Sequence, residues 1–389
     1  MATLLSLETE LLHAQETKMS TLKVNTITND DLPVDFPSDI IIGSGNLKRE
    51  AYSQATEPSN VSNGAVWYDT TNSLLKLRVE GAWYTVNLAI QGTDVLFGDI
   101  GIFAGGMLSA GGSTGTNVIQ YISIPTPGNA QDFGDLLVNA RTPGAASDGT
   151  RGLFAAGNSD FSYVGDISII IFSTTGNATD FGNLTSNYGG ATGVSDSKYA
   201  VFGGMSSDGY YSVSNMDYVT IQTGGDASNF GNMFLDLIQT AGISNLTYGI
   251  FAGGVPDGGE NPGNNTIQYI TIATPSNALD FGDLLGEVIN PAGCGDLTRG
   301  IIGGGFNSNV MQYITIDTPG NSTDFGDLTV SRRSLSATSN GSRGVFSSGR
   351  TSFDITNVID YITISTPGNA TDFGDLLANI QKNVGTSGN

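Results

Sequence analysis

The amino-acid sequence predicts an all-β protein whose main body is a six-bladed β-propeller. The 389-residue chain contains 54 glycines, about twice the average usage, together with many Val, Ile, Phe and Tyr residues that favour strands. The turn sequence TPGNATDFGDL at 366–376 recurs in six close variants. A chain of this length with an internal repeat is expected to assemble from similar units that pack on one another.

Two landmarks define the repeat. The first is a glycine box such as GIFAGG at 101–106, and the second is a strand and turn of the form YITI-x-TPGNATDFGDL. The turn positions Asp132 and Asp372 are five repeats apart, which gives a mean period of 48 residues. This period fits a kelch-like blade, in which about 50 residues form four short strands. Only the interval between box and strand varies widely, from 8 to 15 residues.

Each repeat supplies four strand-sized segments in a fixed order: a variable segment such as SLSAT, the glycine box, YITI and FGDL. In the turn, Pro sets φ near about −65°, and the following Gly and Asn tolerate positive φ. We expect the Asp before Phe-Gly to accept local backbone N–H bonds, and the Phe to anchor its strand between blades. Identical turns would then close successive blades.

The two ends of the repeat region complement each other. After Asp372 only 17 residues remain, eight fewer than the 25-residue interval of other repeats, and residues 99–106 supply the missing eight. We therefore predict that a strand at about 378–386 pairs with the strand at 101–106. The ring would then run from 94 to 389 and be closed by its own termini.

The residues before the ring divide into two predicted segments. Residues 1–18 carry a short amphipathic leucine pattern, typical of a small helix or a tail, and no basic leader that would indicate export. Residues 19–93 are β-rich and include a three-strand meander at 64–88 that contains Trp67 and Trp83. A meander this small exposes much of its apolar face when alone. This region is therefore expected to pack on another copy or on the propeller.

Composition argues against several classes of function. The net charge of −22 disfavours binding to nucleic acid and to anionic membranes, and no apolar run reaches the length of a membrane span. The single histidine, His13, lies outside the ring, and the single cysteine, Cys294, lies between glycines. We therefore predict no enzymatic activity, no cofactor, no metal site and no disulfide framework.

The paired acids of D-F-G-D raise the alternative of calcium sites, since Ca²⁺ takes several carboxylate and carbonyl ligands. Asp132 with Asp135 is one such pair, but the third repeat has Asn229 and Asn232 instead. Asn keeps the oxygen that a turn needs and loses the charge that a cation needs. The pattern favours local hydrogen bonding over metal binding.

Three arginines, Arg151, Arg299 and Arg343, occupy the same position before a glycine box. This periodicity indicates packing between blades rather than a convergent, sialidase-like site. Glycosidase chemistry stays open, because acids are plentiful and the required pair of carboxylates is defined by its separation in space.

The variable interval is expected to carry recognition. Up-and-down strand order places six variable loops on one face of the ring and the repeated turns on the other, and loops on a rigid scaffold commonly bind ligands. Aromatic rings beside carboxylates suit sugar rings and their hydroxyl groups, although drift in unconstrained loops is the alternative. The candidate receptor-binding residues are Asp160, Phe161, Tyr163, Asp208, Tyr210, Tyr211, Asp257, Glu260, Phe306 and Phe353.

Two parts of the chain resemble bacteriophage proteins. MSTLKVNTIT at 19–28 and GAVWYDTTNSLLKLRVEGAWYTV at 64–86 are similar to segments of tail-fibre and related virion proteins, where they lie near the virion-attached end. YITISTPGNATDFGDL together with RGVFSSG resembles the kelch-like repeats of marine phage structural proteins, particularly those of cyanophages. The ring lacks the metal ligands of enzyme-type kelch proteins.

The resemblance implies a structural virion protein, a tail fibre or similar appendage, that is assembled in the host cytoplasm and carried on the phage particle. Residues 1–93 would bind other virion proteins, and the propeller loops would contact a host cell-surface glycan or protein. A homotrimer would be the usual assembly. The alternatives are a capsid decoration or head-fibre protein and a polysaccharide depolymerase.

Overall fold

The structure is a computed structural model that describes residues 51–54, 56–59, 61, 65–69, 74–79, 82–85, 97–110, 114–159, 162–207, 211–256 and 263–389. The chain divides into two compact units, Met1–Thr93 and Asp94–Asn389. Within the described ranges every regular element is a β-strand, which confirms the predicted all-β class. The helix or tail predicted for 1–18 lies outside the described residues.

The first unit contains a four-stranded sheet. Its strands are β1 (Ala51–Gln54), β2 (Val66–Asp69), β3 (Leu74–Val79) and β4 (Ala82–Thr85), in the order β1-β2-β3-β4. Strands β2 to β4 are the antiparallel meander expected within 64–88, and β1 adds a parallel edge strand that was not predicted. Trp67 is buried opposite Lys76, whose Nζ lies 4.5 Å from the ring centroid.

The second unit is a ring of six antiparallel sheets, each with four main strands, which confirms the predicted propeller. Blade 1 uses β5 (Ile100–Ala104), β6 (Thr116–Ser123) and β7 (Gln131–Ala140), and blade 2 uses β8 (Gly144–Ser147), β9 (Arg151–Ala155), β10 (Asn158–Ser159), β11 (Ser162–Ile171) and β12 (Thr179–Tyr188). Blade 3 uses β13 (Thr192–Ser195), β14 (Tyr199–Gly203), β15 (Met205–Ser206), β16 (Ser212–Val213), β17 (Asn215–Thr220) and β18 (Ser228–Asn232).

The remaining three blades have four strands each and need no extra pieces. Blade 4 uses β19 (Ala241–Ser244), β20 (Tyr248–Ala252), β21 (Asn264–Thr271) and β22 (Leu279–Val288), and blade 5 uses β23 (Ala292–Gly295), β24 (Arg299–Gly303), β25 (Val310–Thr315) and β26 (Thr323–Asp327). Blade 6 uses β27 (Ser336–Ser339), β28 (Arg343–Ser347), β29 (Thr356–Thr363) and β30 (Thr371–Ile380), and β31 (Val384–Gly388) follows. In blades 2 to 6 the four main strands run from inner to outer in chain order, as in β19-β20-β21-β22, whereas the inner strand of blade 1 is β31.

The inner strands consist mainly of Gly, Ala, Ser and Thr because they converge around the axis of the ring. Each inner strand adjoins the inner strands of both neighbouring blades. A Cβ atom added at Gly193 would lie 2.2 Å from the carbonyl oxygen of Ala145 in the preceding blade. Larger side chains would therefore push the blades apart.

The C-terminal strand closes the ring as predicted. Strand β31 is the inner strand of blade 1 and pairs with β5, with Thr386 opposite Ile102. The backbone N–H of Asp99 donates to Oδ1 of Asn389 at 2.9 Å, which joins the two ends. The predicted bounds of 378–386 were too early, because β30 extends to Ile380 through two register shifts before the closing strand begins.

The repeated turn clamps each blade to the one before it. The Asn177 side chain accepts a hydrogen bond from the backbone N–H of Asp135 at 3.1 Å. The same contact, at 2.9–3.1 Å in all six joints, is made by Asn129, Asn177, Asp226, Asn277, Asn321 and Asn369. The residue after TPG is therefore repeated because it holds two blades together.

The glycine of D-F-G has positive φ in every blade, from 140° to 152°. A Cβ atom at Gly134 would lie 2.2 Å from the carbonyl oxygen of Gly176, in the turn of the next blade. In the turn itself, Gly176 and Gly225 use the tolerance of Gly for positive φ, whereas Gly128, Gly320 and Gly368 do not have positive φ. Because the neighbouring blade approaches the D-F-G position so closely, this position needs a residue without a Cβ atom that can adopt positive φ, which is glycine.

The D-F-G Asp and Phe have different roles. The Asp side chains, Asp132 among them, are exposed and form no hydrogen bond within the described residues, so the predicted local bond was wrong. Phe133 is buried, packs edge-on against Tyr121 with ring centroids 6.0 Å apart, and shares a core cluster with Phe154 of blade 2. The predicted anchoring of the Phe between blades is therefore confirmed.

The periodic arginines lie at the blade joints. The Arg343 guanidinium stacks 4.4 Å from the ring centroid of Tyr361, and its Nη1 donates to the Ile124 carbonyl oxygen of blade 1 at 2.9 Å. Arg299 makes the equivalent bond to the carbonyl oxygen of Ile364, at 2.8 Å. The packing prediction is confirmed for these two, whereas Arg151 forms an ion pair at 2.8 Å with Asp148 of its own blade.

A buried polar side chain on the third strand bonds the outer strand of the preceding blade. Gln120 Oε1 accepts from the Leu377 N–H at 2.9 Å, and Asp217 Oδ2 accepts from the Thr185 N–H at 2.8 Å. The acceptors at this position include Gln120, Asp217, Gln268, Gln312 and Asp360. Two of these joints therefore bury an acid where the others use a neutral amide.

Asp217→Asn should stabilise the propeller at neutral pH by on the order of 1 kcal/mol. Burial raises the pKa of Asp217, although the Thr185 hydrogen bonds oppose the shift. A raised folded-state pKa means that the contribution of this group is full below its unfolded pKa and is lost as pH rises through the folded pKa. Thermal unfolding at pH 7 should therefore show a gain for the variant that disappears near pH 3–4.

The matched control is Asp180→Asn, because Asp180 is exposed and has no hydrogen bond within the described residues. That change should leave the unfolding temperature nearly unaltered at both pH values. A destabilised Asp217→Asn at pH 7 would show that the charge itself is needed at this joint.

Candidate functional site

The strand order separates two faces of the ring. The loops between second and third strands, and the links from one blade to the next, lie on one face, which we call the variable face. The TPGN turns and the hairpins between inner and second strands lie on the other, which we call the uniform face. Asn389 is on the uniform face, where its N–H donates to the Gly149 carbonyl oxygen at 2.7 Å. The predicted division into two faces is thus present.

Four of the predicted receptor-binding residues are described, and all four lie on the variable face. Tyr163 is half-buried, while Tyr211, Phe306 and Phe353 are 63%, 54% and 97% exposed. The other six, Asp160, Phe161, Asp208, Tyr210, Asp257 and Glu260, lie outside the described residues.

Phe306 and Phe353 belong to neighbouring loops that are bonded to each other. Ser352 Oγ donates to Asn307 Oδ1 at 2.6 Å, so each aromatic residue is one position from this bond. The Arg333 guanidinium lies 4.7 Å from the ring centroid of Phe306, which suits a cation–π contact. Blades 5 and 6 therefore present two exposed rings, one of which, Phe306, lies beside a cation.

A ring of left-handed residues surrounds the mouth of the central channel on the variable face. We call it the mouth ring: Thr142, Gly190, Gln239, Asn290, Ser334 and Lys382, with φ between 51° and 72°. Five of them carry a side chain, and left-handed backbone costs such residues about 1 kcal/mol or more. Strain of this kind persists only where the surrounding structure holds it in place.

Backbone hydrogen bonds hold much of the mouth ring. The N–H of Thr142 donates to the carbonyl oxygen of Lys382 at 2.8 Å, and the N–H of Lys382 donates to that of Ser334 at 2.8 Å. The N–H of Ser334 donates in turn to Asn290 at 2.9 Å. Successive blades thus support one another where their links meet the channel.

Two small cavities occupy the channel. The one below the mouth ring has a volume of about 110 Å³, and the one toward the uniform face has about 80 Å³. The second is bordered by Phe97 and by inner-strand serines such as Ser147, whose Oγ donates to the Ser387 carbonyl oxygen at 2.9 Å. Neither has the volume of about 300–1,000 Å³ that is usual for small-molecule sites.

A larger pocket of about 280 Å³ opens beside the mouth ring at blades 1 to 3. We call it the mouth pocket, and its lining includes Arg141, Asn158, Tyr163, Gln239 and Lys382. Arg141 and Asn158 exchange backbone hydrogen bonds at 3.1 and 3.0 Å, and Asn158 pairs with Tyr163 in the next strand. The amide oxygen of Asn158 is buried without a hydrogen-bond partner within the described residues.

The cations of this face were not among the predicted site residues. Arg141 and Lys382 line the mouth pocket, while Arg333 and Arg350, where blade 5 leads into blade 6, form the backbone bridge equivalent to that of Arg141 and Asn158. Arg141 and Arg333 share one repeat position, nine residues after Asp132 and Asp324, but the other four repeats have uncharged residues there, so periodicity gave little indication of them. The available signal was the position of these few cations in an acidic chain, because Arg141, Arg333 and Lys382 all lie two or three residues before an inner strand.

The described residues include no group of three or more His, Cys, Asp or Glu side chains placed to hold a metal ion. None of the three cavities is lined by a described acid. Cys294 is buried, and burial raises the pKa of its thiol well above the ordinary value. A thiolate nucleophile is therefore disfavoured at this position.

In the described part of the chain, no helix has the length and hydrophobicity needed to cross a membrane. No protein-family model matches the sequence. No curated protein matches it at a significant level. Functional inference therefore depends on the chain's own residues.

Proposed function

We propose that this protein is a non-enzymatic recognition protein whose propeller presents its variable face to a binding partner. The contrast between the two faces carries the proposal. On the uniform face the same clamp recurs in six joints, at 2.9–3.1 Å. On the variable face the loops differ in length and carry aromatic rings such as Phe353, whose 97% exposure gives it little role in packing.

The biological setting we propose is the surface of a bacteriophage particle. The resemblance of 19–28 and 64–86 to virion-attachment segments supports a role for residues 1–93 in binding other virion proteins, in a homotrimer. The variable face would contact a host cell-surface glycan or protein. Asp99 and Asn389 are bonded together on the uniform face, so neither of these two residues occupies the variable face.

Immunogold labelling tests this setting. Antibody raised against the purified protein should label virions of the phage that encodes it, with gold on the tail. Gold on the capsid would indicate a decoration or head-fibre protein, and unlabelled virions would contradict a structural virion role.

Tyr211→Ala and Phe353→Ala should each weaken adsorption of the purified protein to host cells by about tenfold, the effect of about 1.4 kcal/mol. Exposed aromatic rings contribute strongly to binding when a partner covers them, and little to folding when they face water. Flow cytometry with labelled protein gives the apparent Kd. Thermal unfolding should stay within about 0.5 kcal/mol of the wild type.

Leu279→Ala is the matched control, because Leu279 is 57% exposed and begins an outer strand next to the uniform face. Its adsorption should equal that of the wild type. Equal losses for Leu279→Ala and Phe353→Ala would remove the distinction between the two faces.

A further inference from the structure

An Asn or Asp side chain caps the hairpin between the first two strands in blades 2 to 6. In blade 6, Asn340 Oδ1 accepts hydrogen bonds from the backbone N–H groups of Ser342 at 3.1 Å and Arg343 at 2.8 Å. The five capping residues are Asp148, Asp196, Asn245, Asp296 and Asn340. The same cap is therefore built from a neutral amide in two blades and from a carboxylate in three.

Asn340 differs from the other amide cap in the residue that follows it. Gly341 comes next, whereas Asn245 precedes Leu246. A backbone nitrogen attacks the preceding Asn amide carbon most easily when its own residue is glycine, which has no side chain to obstruct the approach. The Gly341 N–H forms no hydrogen bond within the described residues, and both Asn340 and Gly341 are half-buried, so water reaches them.

The groups around the Asn340 amide suit this cyclisation. Attack on the amide carbon places negative charge on Oδ1, and the two backbone N–H groups that already point at this oxygen would stabilise that charge. Asn340 Nδ2 donates to Asp99 Oδ1 at 2.8 Å, which fixes the orientation of the amide. The attacking nitrogen belongs to the adjacent residue, so no second molecule has to be positioned.

We propose that Asn340 and Gly341 form a self-deamidation site, at which the folded hairpin converts Asn340 to aspartate or isoaspartate. The bond from Gly341 N to Asn340 Cγ forms, the Cγ–Nδ2 bond breaks, and the proton of the Gly341 nitrogen leaves with Nδ2 as ammonia. A solvent water molecule then opens the cyclic imide. Cleavage of the new bond gives aspartate, and cleavage of the original peptide bond gives isoaspartate. This inference does not depend on the proposed recognition function.

The hairpin can accommodate the aspartate product. In blade 2, Asp148 Oδ1 accepts the two equivalent backbone bonds, at 3.0 and 2.7 Å. The glycines that follow the two caps, Gly149 and Gly341, have nearly equal φ of 80° and 81°. An aspartate at position 340 therefore keeps the cap.

The change would instead affect the seam that closes the ring. Asp99 lies directly before β5, and its backbone N–H donates to Asn389 Oδ1 at 2.9 Å. A carboxylate at position 340 loses the hydrogen bond from Nδ2 to Asp99 and places two negative charges side by side. Deamidation of Asn340 would therefore weaken this seam as the protein ages.

Peptide mapping by mass spectrometry tests the proposal on the full-length protein. Samples are incubated at pH 8 and 37 °C for several weeks, either native or unfolded in guanidinium chloride, and the aspartate and isoaspartate products are separated by chromatography. In the native protein, Asn340 should deamidate at least as fast as in the unfolded protein. It should also react at least tenfold faster than Asn245, whose Oδ1 accepts the equivalent bonds at 2.8 and 2.7 Å.

Two variants separate the reaction from its consequence. Gly341→Ala should slow deamidation of Asn340 at least tenfold while keeping the thermal transition. Asn340→Asp reproduces one product and should lower the unfolding temperature at pH 7 by about 2 °C, since like charges near the surface repel only modestly. Combining it with Asp99→Asn should restore the wild-type value.

A lower rate at Asn340 in the native than in the unfolded protein would overturn the proposal, because the fold would then protect the amide. An unchanged rate in Gly341→Ala would overturn it as well. An Asn340→Asp variant as stable as the wild type would overturn the effect on the seam.

Discussion

Removal of residues 384–389 is expected to abolish the cooperative thermal transition of the propeller. The deletion takes away the inner strand of blade 1, whose five residues pair with Ile100–Ala104. It also removes contacts of this strand with the inner strands of blades 2 and 6. Strand β5 would then become an unprotected edge that faces the channel.

The expected loss is comparable with the whole stability of an ordinary domain. Phe103 and Ala104 are fully buried next to the closing strand, so their backbone groups could not turn to bulk water without rearrangement. Each buried donor or acceptor left without a partner costs about 1–3 kcal/mol, and domains have only about 5–15 kcal/mol in total. Three or four such groups would be enough to unfold the ring.

Scanning calorimetry of the truncated and full-length proteins measures this effect. Asn389→Ala is the matched control, because it removes only the hydrogen bond from Asp99 to the Asn389 side chain and leaves β31 intact. That variant should lose about 1 kcal/mol and keep one sharp transition. A truncated chain with a transition as sharp as that of the wild type would show that blade 1 is stable with three strands.

Closure of the ring could be predicted because it follows from the number of residues between the repeat landmarks. The intervals between repeats are nearly constant, and the deficit after Asp372 equals the segment at 99–106. The exact bounds of the closing strand could not be predicted, since bulges in β30 let that strand extend to Ile380. The repeat period predicts the number of blades, but it does not predict where an individual strand contains a bulge.

Contacts between blades were harder to predict than contacts within them. The positive φ of Gly134 is imposed by the carbonyl oxygen of Gly176, a residue 42 positions away. Local turn rules assign the tolerance for positive φ to Gly128, where an added Cβ atom would have no neighbour within 4 Å. The turn sequence is repeated because its residues contact the neighbouring blade. Local turn propensities do not take that contact into account.

The candidate site was predicted in part. Exposed rings such as Phe306 and Phe353 were found because loops of variable length are easy to recognise in a repeat. The pair of Arg141 and Lys382 was missed, because these residues are far apart in sequence and meet only where the links converge on the mouth ring. The candidate carboxylates, Asp160, Asp208, Asp257 and Glu260, lie outside the described residues.

Arg332→Leu alone should destabilise the propeller by about 3–5 kcal/mol. Arg332 and Asp360 form a fully buried ion pair, with Nη2 and Oδ2 2.9 Å apart and both side chains 0% exposed. Burial lowers the pKa of the Arg332 guanidinium, and the Asp360 charge opposes that shift. Loss of the arginine leaves the carboxylate buried and dependent on its hydrogen bonds from Thr329. Chemical denaturation at pH 7 measures the change in the free energy of unfolding.

The repeat itself supplies the compensating change. The positions equivalent to Arg332 hold apolar residues in the other blades, such as Leu237 and Ile380, and the positions equivalent to Asp360 include Gln120 and Gln268. Arg332→Leu combined with Asp360→Gln would convert the joint between blades 5 and 6 to the pattern that its neighbours use.

The double variant should recover most of the loss and match or exceed the wild type, because replacing a buried ion pair with well-packed neutral groups is often neutral or stabilising by about 1–4 kcal/mol. The two changes would then be strongly non-additive, since Asp360→Gln alone leaves Arg332 as an uncompensated buried charge. Additive losses in the double variant would mean that the ion pair stabilises this joint beyond what a neutral pair can supply. Recovery would show that the joint between blades 5 and 6 can use the neutral pattern of its neighbours without loss of stability.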